Sequence, residues 1–199
     1  LPFGPLPSVT GAISGGIEHL GLYADHGAAA LRADIAAFVG LDADQVTVGA
    51  GSAGILQQLL LSYVGVGDKV AMCWPSFEAY PLFTALVEAE EIRVPLLDET
   101  FDLPSLAAAI DADTKLAFVT NPNNPTGTVV GTDEIIGFLG SVPPTCLVVL
   151  DEAYSEFVTD ERVTDSTLLL PDHPNLVITR TFSKAHGLAG LRVGYALGH

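Results

Sequence analysis

Short apolar runs alternate with segments of helical periodicity along most of the chain. Some of these runs are apolar without interruption, as expected of strands covered on both faces; they include LAFV at 116–119 and CLVVL at 146–150. We predict strands at Gln45–Val48, Val70–Trp74, Ile92–Leu97, Lys115–Thr120, Cys146–Leu150 and Leu176–Thr179. We predict helices from Ala28 to a stop at Gly40 and at Gly54–Val64, Phe77–Ala89, Leu103–Ile110 and Asp133–Gly140. This alternation is typical of an α/β fold with three layers, a mostly parallel sheet with helices on both faces.

The first 27 residues do not share this pattern. Residues 1–10 contain three prolines and one glycine, which predicts an extended arm, and Gly21 and Gly27 punctuate the segment around Tyr23. From residue 28 onward, no linker, repeat or low-complexity tract interrupts the alternation. We therefore predict an N-terminal arm at residues 1–27 and a single domain at residues 28–199.

The composition narrows the class of protein. A hydrophobic share of 49%, a charged share of 16% and a mean hydropathy of +0.43 are typical of a globular protein with a large core. A formal charge of −16 argues against nucleic acid or an anionic membrane as a partner. No stretch has transmembrane length and the first residues lack the pattern of a signal peptide, so we expect a cytoplasmic protein. Cys73 and Cys146 lie in apolar runs, which predicts buried free thiols, and no metal-ligand spacing is present.

Three of the eight basic residues lie close together after the last predicted strand, namely Arg180, Lys184 and Arg192. In so acidic a chain, this cluster indicates an anion held near a reactive amine. Thr181 and Ser183 place hydroxyl groups just before the lysine. Pyridoxal phosphate requires an amine for its aldehyde, and cationic and hydroxyl donors for its phosphate. The stretch therefore predicts a pyridoxal phosphate site at Lys184, with an ordinary lysine on a solvated loop as the alternative.

The segment Gly49–Gly54 matches the glycine pattern G-x-G-x-x-G at the start of a predicted helix. A dinucleotide-binding fold would also need an acidic residue about twenty positions later, at the end of the next strand. That strand ends instead in Trp74 and Pro75. The helix start remains a candidate phosphate site, with the Ser52 hydroxyl and the Ala53 amide as donors. A tight packing turn and, more distantly, a dinucleotide-dependent oxidoreductase are the alternatives.

Two further motifs follow predicted strands and therefore lie where ligands bind in such sheets. Phe77, just after the strand that ends at Trp74, is an aromatic side chain that can stack on a flat heteroaromatic ring. Asn124, within the turn NPNNPTG at 121–127, can donate a hydrogen bond to a phenolate oxygen. Core packing for Phe77 and a plain Asn/Pro/Gly turn for Asn124 are the alternatives.

An acidic pair, Asp151 and Glu152, follows the buried strand at 146–150. A P-loop NTPase carries an acid at such a position, but the chain has no G-x-x-x-x-G-K-[ST] motif, which excludes that class. A carboxylate that ends a buried strand is costly unless it is paired. A protonated pyridine nitrogen would pair with Asp151, and Tyr154 is close enough along the chain to reach the phenolate oxygen of the same ring.

Seven motifs in this order resemble the fold-type I aminotransferases, in the branch of the histidinol-phosphate aminotransferases. They are PFGPLPSV, YADHGAAALR, GAGS, PSFEAYP, NPNNPTG, DEAY and TFSKAHGLAGLRVGY. FEAYP together with GSAGILQQL is similar to the aromatic, phenylalanine-type aminotransferases of that branch. The resemblance implies the large domain of that fold, incomplete at its C-terminal end. The small domain, with the arginine that recognises the substrate carboxylate, is not part of this sequence.

The resemblance also assigns roles to individual residues. Lys184 is implied as the catalytic residue that binds the cofactor covalently and then moves a proton. Tyr23 is implied to reach the cofactor phosphate of a partner subunit, which implies a homodimer. Ala53 departs from the acid often found there, but its backbone amide remains. The full set of implied cofactor-binding residues is Ser52, Ala53, Phe77, Asn124, Asp151, Tyr154, Thr181, Ser183, Lys184, Arg192 and the partner subunit's Tyr23.

The implied activity is transfer of an amino group between histidinol phosphate or an aromatic amino acid and a 2-oxo acid, with 2-oxoglutarate as the expected acceptor. Two alternatives share the cofactor residues. One is a decarboxylase of a phosphorylated amino acid on the same fold, and the other is a non-catalytic domain that binds the cofactor for a regulator. The sequence does not choose between the two amino donors.

Overall fold

The computed structural model describes residues 4–199, and within this range seven strands form one sheet. The strands are β1 (Val46–Ala50), β2 (Lys69–Trp74), β3 (Glu90–Pro95), β4 (Thr114–Thr120), β5 (Leu147–Asp151), β6 (Leu176–Thr181) and β7 (Val193–Leu197). The α-helices are α1 (Pro7–Gly16), α2 (Ala29–Val39), α3 (Gly51–Tyr63), α4 (Ala79–Leu86), α5 (Leu103–Ala109) and α6 (Thr132–Ser141). All of the predicted strands and helices are present, with ends shifted by up to three residues.

The strand order is β1-β7-β6-β5-β4-β2-β3. The pairings of β2 with β3, β2 with β4, β4 with β5 and β5 with β6 are parallel. β7 is antiparallel to both of its neighbours, β1 and β6. The prediction of a mostly parallel sheet is therefore confirmed. The sequence analysis did not predict β7, because Gly194 interrupts a short segment that the apolar pattern alone does not identify as a strand.

Helices cover both faces of the sheet, and the two cores follow from the alternation of side chains along each strand. In β2, Ala71 and Cys73 pack toward the face that carries α2, α5 and α6. Val70 and Met72 pack toward the opposite face, which carries α3 and α4. The three-layer architecture is therefore confirmed.

Both cysteines are buried free thiols, as predicted. Cys73 lies in β2 and Cys146 immediately precedes β5, so both belong to the larger core. Burial raises the pKa of each thiol to about 12. Both groups are therefore neutral at physiological pH, and they act as small apolar side chains in the packing.

The N-terminal segment differs from the extended arm that its prolines predict. Residues 1–3 lie outside the described range, but α1 begins at Pro7, so the extended prediction is wrong for residues 7–10. Proline is well tolerated at the first position of a helix, because the N–H it lacks would have no partner within the helix. Helix α1 buries none of its residues, so it adds nothing to either core. The boundary between an arm and a domain at residue 28 stays a prediction.

Parallel strands bring their carboxyl ends to one edge of the sheet, and this edge positions the candidate site. Thr120, the last residue of β4, is level with Asp151, the last residue of β5. Asp151 is in turn level with Thr179 in β6. The segments that follow these strands therefore meet, although long stretches of sequence separate them.

Candidate functional site

A small cavity of about 50 Å³ lies at this edge, where six of the predicted site residues converge. The six are Ser52, Phe77, Asn124, Asp151, Tyr154 and Lys184. Thr120 and Ala153 complete the lining. The side chains come from the start of α3 and from the segments after β2, β4, β5 and β6. The fold therefore brings together residues that the sequence places up to 132 positions apart, from Ser52 to Lys184.

Asp151 is the buried carboxylate of the cavity, with 3% of the residue exposed. Its Oδ2 accepts a hydrogen bond of 2.9 Å from the Tyr80 hydroxyl, and its Oδ1 accepts one of 3.2 Å from the Ala153 N–H. Burial raises the pKa of Asp151, and the hydrogen bond from Tyr80 opposes that rise. Among residues 4–199, no lysine, arginine or histidine nitrogen lies within 4.0 Å of this carboxylate. A cationic group in the cavity would therefore find an uncompensated negative partner.

The amine of Lys184 lies in the same cavity. Its Nζ is 5.1 Å from the centroid of the Tyr154 ring, within the range of a cation–π interaction. Lys184 takes part in none of the salt bridges found within the described residues. A primary amine without a carboxylate partner is available to react with a carbonyl group bound in this cavity.

The loop that follows β4 contains three asparagines, and they have different roles. Asn121 exchanges two hydrogen bonds of 3.0 Å with the backbone of Val130. Asn123 donates to the Thr126 hydroxyl at 2.9 Å. Both are buried and hold the loop in place, whereas the half-buried Asn124 lines the cavity. Of the three, Asn124 is therefore the one at the cavity, and its predicted contact with a ligand stays a prediction.

The amino end of α3 and Arg192 come together beside the cavity. Gly51, at φ +74°, begins the helix, and no side chain caps it. The Arg192 guanidinium donates to the Ser183 hydroxyl at 3.2 Å and to the Ala50 carbonyl at 3.4 Å. It packs so closely on Gly51 that a Cβ there would collide with it. A helix amino end that no side chain caps, a hydroxyl and a guanidinium in one place favour the binding of an anion.

Gly194 in β7 supports this arrangement from below. A Cβ at this position would overlap the backbone nitrogen of Ser52. The absence of a side chain therefore lets β7 approach the first turn of α3 directly. The same glycine that interrupts the apolar pattern of β7 thus positions the helix amino end.

Five of the predicted cofactor residues lie outside the cavity lining. Ser183 and Arg192 are described above, and the other three are Thr181, Ala53 and Tyr23. Thr181 is buried, and its hydroxyl accepts a hydrogen bond of 3.1 Å from the Ser183 N–H and donates one of 3.5 Å to the Val193 carbonyl. Ala53 lies in the first turn of α3, one residue after Ser52. Tyr23 is 98% exposed. The roles predicted for these three residues stay predictions.

Arg180 does not belong to the cationic cluster that the sequence suggests. Its Nε donates to Glu152 Oε2 at 2.8 Å, and its Nη2 lies 3.4 Å from Asp165 Oδ1. Burial lowers the pKa of Arg180, but the facing Glu152 more than offsets this, so the pKa rises. Arg180 and Glu152 line a separate cavity of about 610 Å³, which contains none of the predicted site residues. Only Lys184 and Arg192 remain as cations near the candidate site.

Tyr80 and Thr120 are functional candidates that the sequence analysis missed. Tyr80 lies in the first turn of α4, three residues after Phe77, and the two rings meet edge-on at 5.4 Å between centroids. Thr120 ends β4 beside Asp151. The spacing from Phe77 and the strand-end position were available as signals, but neither shows that both hydroxyls meet a buried carboxylate.

The dinucleotide alternative finds no support in the geometry. The end of β2, where such a fold needs an acid, carries Trp74, whose ring lies 4.8 Å from the Arg93 guanidinium. Within residues 4–199, no group of three or more His, Cys, Asp or Glu side chains is arranged to hold a metal ion. None of the helices in the described range is both long and apolar enough to cross a membrane.

Comparison with known proteins agrees with the fold. The model of the family described as aminotransferase class I and II matches residues 5–199. An aromatic amino acid aminotransferase of Thermobifida fusca is 52% identical over 198 residues, which is 100% of this chain and 55% of that protein. One of Mycobacteroides abscessus is 49% identical over 194 residues, which is 98% of this chain and 56% of that protein. The chain thus spans about half the length of the curated relatives it matches.

A solved structure gives the same result. Histidinol-phosphate aminotransferase from Sinorhizobium meliloti, in complex with pyridoxal-5′-phosphate, superposes with a TM-score of 0.93 at 34% identity. The match covers 98% of this chain and 53% of that one. With a family match over nearly its whole length, this chain belongs to the class I and II aminotransferases.

Proposed function

We propose that the cavity binds pyridoxal phosphate and that the complete protein is a transaminase. It would move an amino group between an aromatic amino acid or histidinol phosphate and a 2-oxo acid, with 2-oxoglutarate as the acceptor. One observation carries the proposal: Asp151 is a buried carboxylate that shares a cavity with the amine of Lys184, and within residues 4–199 neither group forms a salt bridge. Relatives about 50% identical that are named aromatic amino acid aminotransferases support the activity.

The donor set in the cavity fits the ring of pyridoxal phosphate. Asp151 would hold the protonated ring nitrogen, and Asn124 and Tyr154 would donate to the phenolate oxygen. Phe77 would pack against the face of the ring. When bound, the cofactor supplies an electron sink that stabilises negative charge at the substrate's α-carbon. Lys184 would bind the cofactor's aldehyde carbon through Nζ and, once released, carry a proton to and from the α-carbon.

The phosphate would bind beside the cavity. The space of about 50 Å³ holds only part of such a ligand, and the anion-binding groups lie outside its lining, with the exception of Ser52. Arg192, Ser183, Ser52 and the Ala53 amide would surround the phosphate at the amino end of α3. Thr181 would hold the loop in place rather than donate to the phosphate, because its hydroxyl already donates to the Val193 carbonyl and accepts from the Ser183 N–H.

The partners follow from the same proposal. The substrates would be small molecules, an amino donor and a 2-oxo acid. The second subunit of a homodimer would receive Tyr23, an aromatic side chain that is 98% exposed in this chain. Leu20 and Leu22 beside it are also exposed, which supports contact between this segment and another protein surface.

The same cofactor residues would serve a decarboxylase of a phosphorylated amino acid or a non-catalytic regulatory domain. No contact in the described residues favours either of these functions. The named relatives at about 50% identity are aminotransferases, which favours the transaminase.

Covalent trapping tests the proposal. The protein is mixed with pyridoxal phosphate and reduced with borohydride, and the modified peptide is identified by mass spectrometry. We expect the adduct on Lys184 and none in Lys184→Ala. Lys115→Ala is the matched control, because Lys115 lies in β4 rather than at the cavity, and it should keep the adduct.

Amino transfer is the second measurement. With 2-oxoglutarate as acceptor, phenylalanine and histidinol phosphate are compared as donors, and we expect glutamate to form with at least one of them. An adduct that survives in Lys184→Ala would overturn the assignment of this lysine. With an O-phosphorylated amino acid as the substrate, release of carbon dioxide without amino transfer would instead support the decarboxylase.

A further inference from the structure

A fully buried tyrosine that faces the candidate site has no role in the proposed function. Tyr80 lies in α4 and has no exposed surface. Its ring stacks on Phe118 at 4.1 Å between centroids, and it meets Phe77 edge-on at 5.4 Å. These two contacts hold the ring in place. Its hydroxyl therefore has a defined position, 2.9 Å from Asp151 Oδ2 and 2.7 Å from Thr120 Oγ1.

The hydrogen bonds continue beyond Thr120 to the loop that carries Asn124. Thr120 Oγ1 is 3.0 Å from Ser76 Oγ, and Ser76 donates to Asn123 Oδ1 at 2.9 Å. All of these side chains are buried. One chain of polar groups therefore links the carboxylate at one side of the cavity to the loop at the other.

The number of available protons sets the direction of these hydrogen bonds. Between Asp151 and Asn123 there are four hydrogen bonds, but the hydroxyls of Tyr80, Thr120 and Ser76 supply only three protons. If Asp151 is ionised, Tyr80 must donate to it and Thr120 must donate to Tyr80. Ser76 then has one proton for two acceptors. The carboxylate thus orients the two hydroxyls nearest to it, and the far end of the chain is the least committed.

The environment of Asp151 makes the Tyr80 bond important. Burial raises the pKa of Asp151, which favours the neutral acid. Only an ionised carboxylate can form an ion pair with a protonated ring nitrogen. Within the described residues the carboxylate accepts hydrogen bonds of 2.9 Å from the Tyr80 hydroxyl and 3.2 Å from the Ala153 N–H, and the neighbouring Thr179 hydroxyl adds a smaller effect that also lowers the pKa of Asp151. The Tyr80 hydroxyl makes the shorter of these bonds, and a donor stabilises the ionised form.

We infer that Tyr80 is a positioning residue whose hydroxyl holds the Asp151 carboxylate in place for the ring nitrogen of the cofactor. The inference rests on the proposed function, since it requires pyridoxal phosphate in the cavity. It adds a residue that touches neither cofactor nor substrate and acts only through Asp151.

The test uses a pair of ligands that differ at one atom. Tyr80→Phe removes the hydroxyl and keeps the ring that packs on Phe118. Its Kd is measured for pyridoxal phosphate and for the 1-deaza analogue, in which C–H replaces the ring nitrogen. We expect the Kd for pyridoxal phosphate to rise about tenfold, as when a hydrogen bond to a charged group is lost. The Kd for the analogue should stay within about twofold, since Asp151 has no nitrogen to pair with.

Equal weakening of both ligands would show that Tyr80 only maintains the structure, and no weakening of either would show that its hydroxyl is dispensable. Either result overturns the inference. Thr84→Val is the matched control, because Thr84 is a buried hydroxyl on the same helix that bonds to the Tyr80 carbonyl and does not reach Asp151. Thr84→Val should lower the thermal stability and change the Kd values of the two ligands by the same factor.

A second variant keeps the test decisive if Tyr80→Phe fails to fold. Thr120→Val retains the shape of the side chain and removes the partner of the Tyr80 hydroxyl. It should therefore raise the Kd for pyridoxal phosphate more than the Kd for the analogue, but by a smaller factor than Tyr80→Phe does. In an Asp151→Asn background, Tyr80→Phe should no longer separate the two ligands. A separation that persists without the carboxylate would overturn the inference. Failure of the unmodified protein to bind pyridoxal phosphate would overturn the proposed function itself.

Discussion

Asp151 and Glu152 are neighbours in sequence and both are buried, yet they have opposite relations to positive charge. Glu152 forms a salt bridge of 2.8 Å with Arg180 and lines the large cavity beside α2. Asp151 lines the small cavity, where two hydrogen bonds stabilise its carboxylate and no cation from residues 4–199 forms a salt bridge with it. Because an unpaired buried charge is costly, this contrast supports the proposal that Asp151 pairs with a cationic group of the ligand.

The two arginines near the end of the chain repeat this contrast. Arg180 is held by Glu152 and Asp165. In the part of the chain that the structure describes, Arg192 donates only to neutral oxygens, those of Ser183, Ala189 and Ala50. Among these described residues, one side of the sheet edge therefore contains a completed ion pair, and the other contains a carboxylate and a guanidinium without charged partners. The predictions below test this difference, in order of decreasing effect.

Glu152→Gln should destabilise the fold most. Removing one partner of a buried ion pair leaves the other charge uncompensated, and we expect a loss of about 3 kcal/mol in the free energy of unfolding. Urea denaturation of the cofactor-free protein measures this loss. Glu152→Leu combined with Arg180→Met should recover part of it, because neither charge then remains. An unchanged midpoint in Glu152→Gln would show that the pair is not structural.

Asp151→Asn should act on the ligand rather than on the fold. We expect the affinity for pyridoxal phosphate to fall about a hundredfold, because a charge-assisted interaction with the ring nitrogen is lost. The stability of the cofactor-free protein should change by less than it does in Glu152→Gln. Equilibrium dialysis and urea denaturation measure the two quantities, and a reversed ranking of the two variants would contradict the comparison.

Arg192→Ala should weaken cofactor binding about tenfold, since its proposed partner is the ligand phosphate. Thermal unfolding without cofactor should change little. Arg180→Ala is the matched control: it should lower stability strongly while the folded fraction keeps its affinity. Equal loss of stability in both variants would indicate that Arg192 also serves the fold.

The smallest effect concerns pH. The pKa of Asp151 in the folded, cofactor-free protein lies above its ordinary value of 3.8 because of burial. Folding then binds a proton in the window above about pH 4, so this group's contribution to stability falls as pH rises through that window. Asp151→Asn removes this dependence. The free energy of unfolding of the variant, relative to the unmodified protein, should therefore increase between about pH 4 and pH 7.

Much of the fold and site follows from the sequence because the relevant signals are local. Apolar runs such as 116–119 and 146–150 predict the central strands. In a parallel sheet the carboxyl ends of such strands share one edge, so the sequence predicts that Asn124, Asp151 and Lys184 lie near one another. The start of α3 follows similarly from the glycines at 49–54.

Other features are set by contacts between segments far apart in the chain. Strand β7 pairs antiparallel with both β1 and β6. A five-residue apolar segment with a glycine does not reveal these two partners. The orientation of β7 is therefore not a property of the local pattern alone. Helix α1 differs, because it buries none of its residues, and its departure from the expected extended arm over residues 7–10 reflects the tolerance of proline at the first position of a helix.

The sequence by itself determined the class of fold and the chemical groups that gather at one edge of the sheet, since strand ends and their motifs are short-range features. Only the tertiary structure decided which side of the sheet each group faces. It pairs Arg180 with Glu152, turns Asn124 rather than Asn121 into the cavity and places the Tyr80 hydroxyl on Asp151. The reason is that a shift of one residue along a strand or loop reverses the face, and packing between distant elements selects the face.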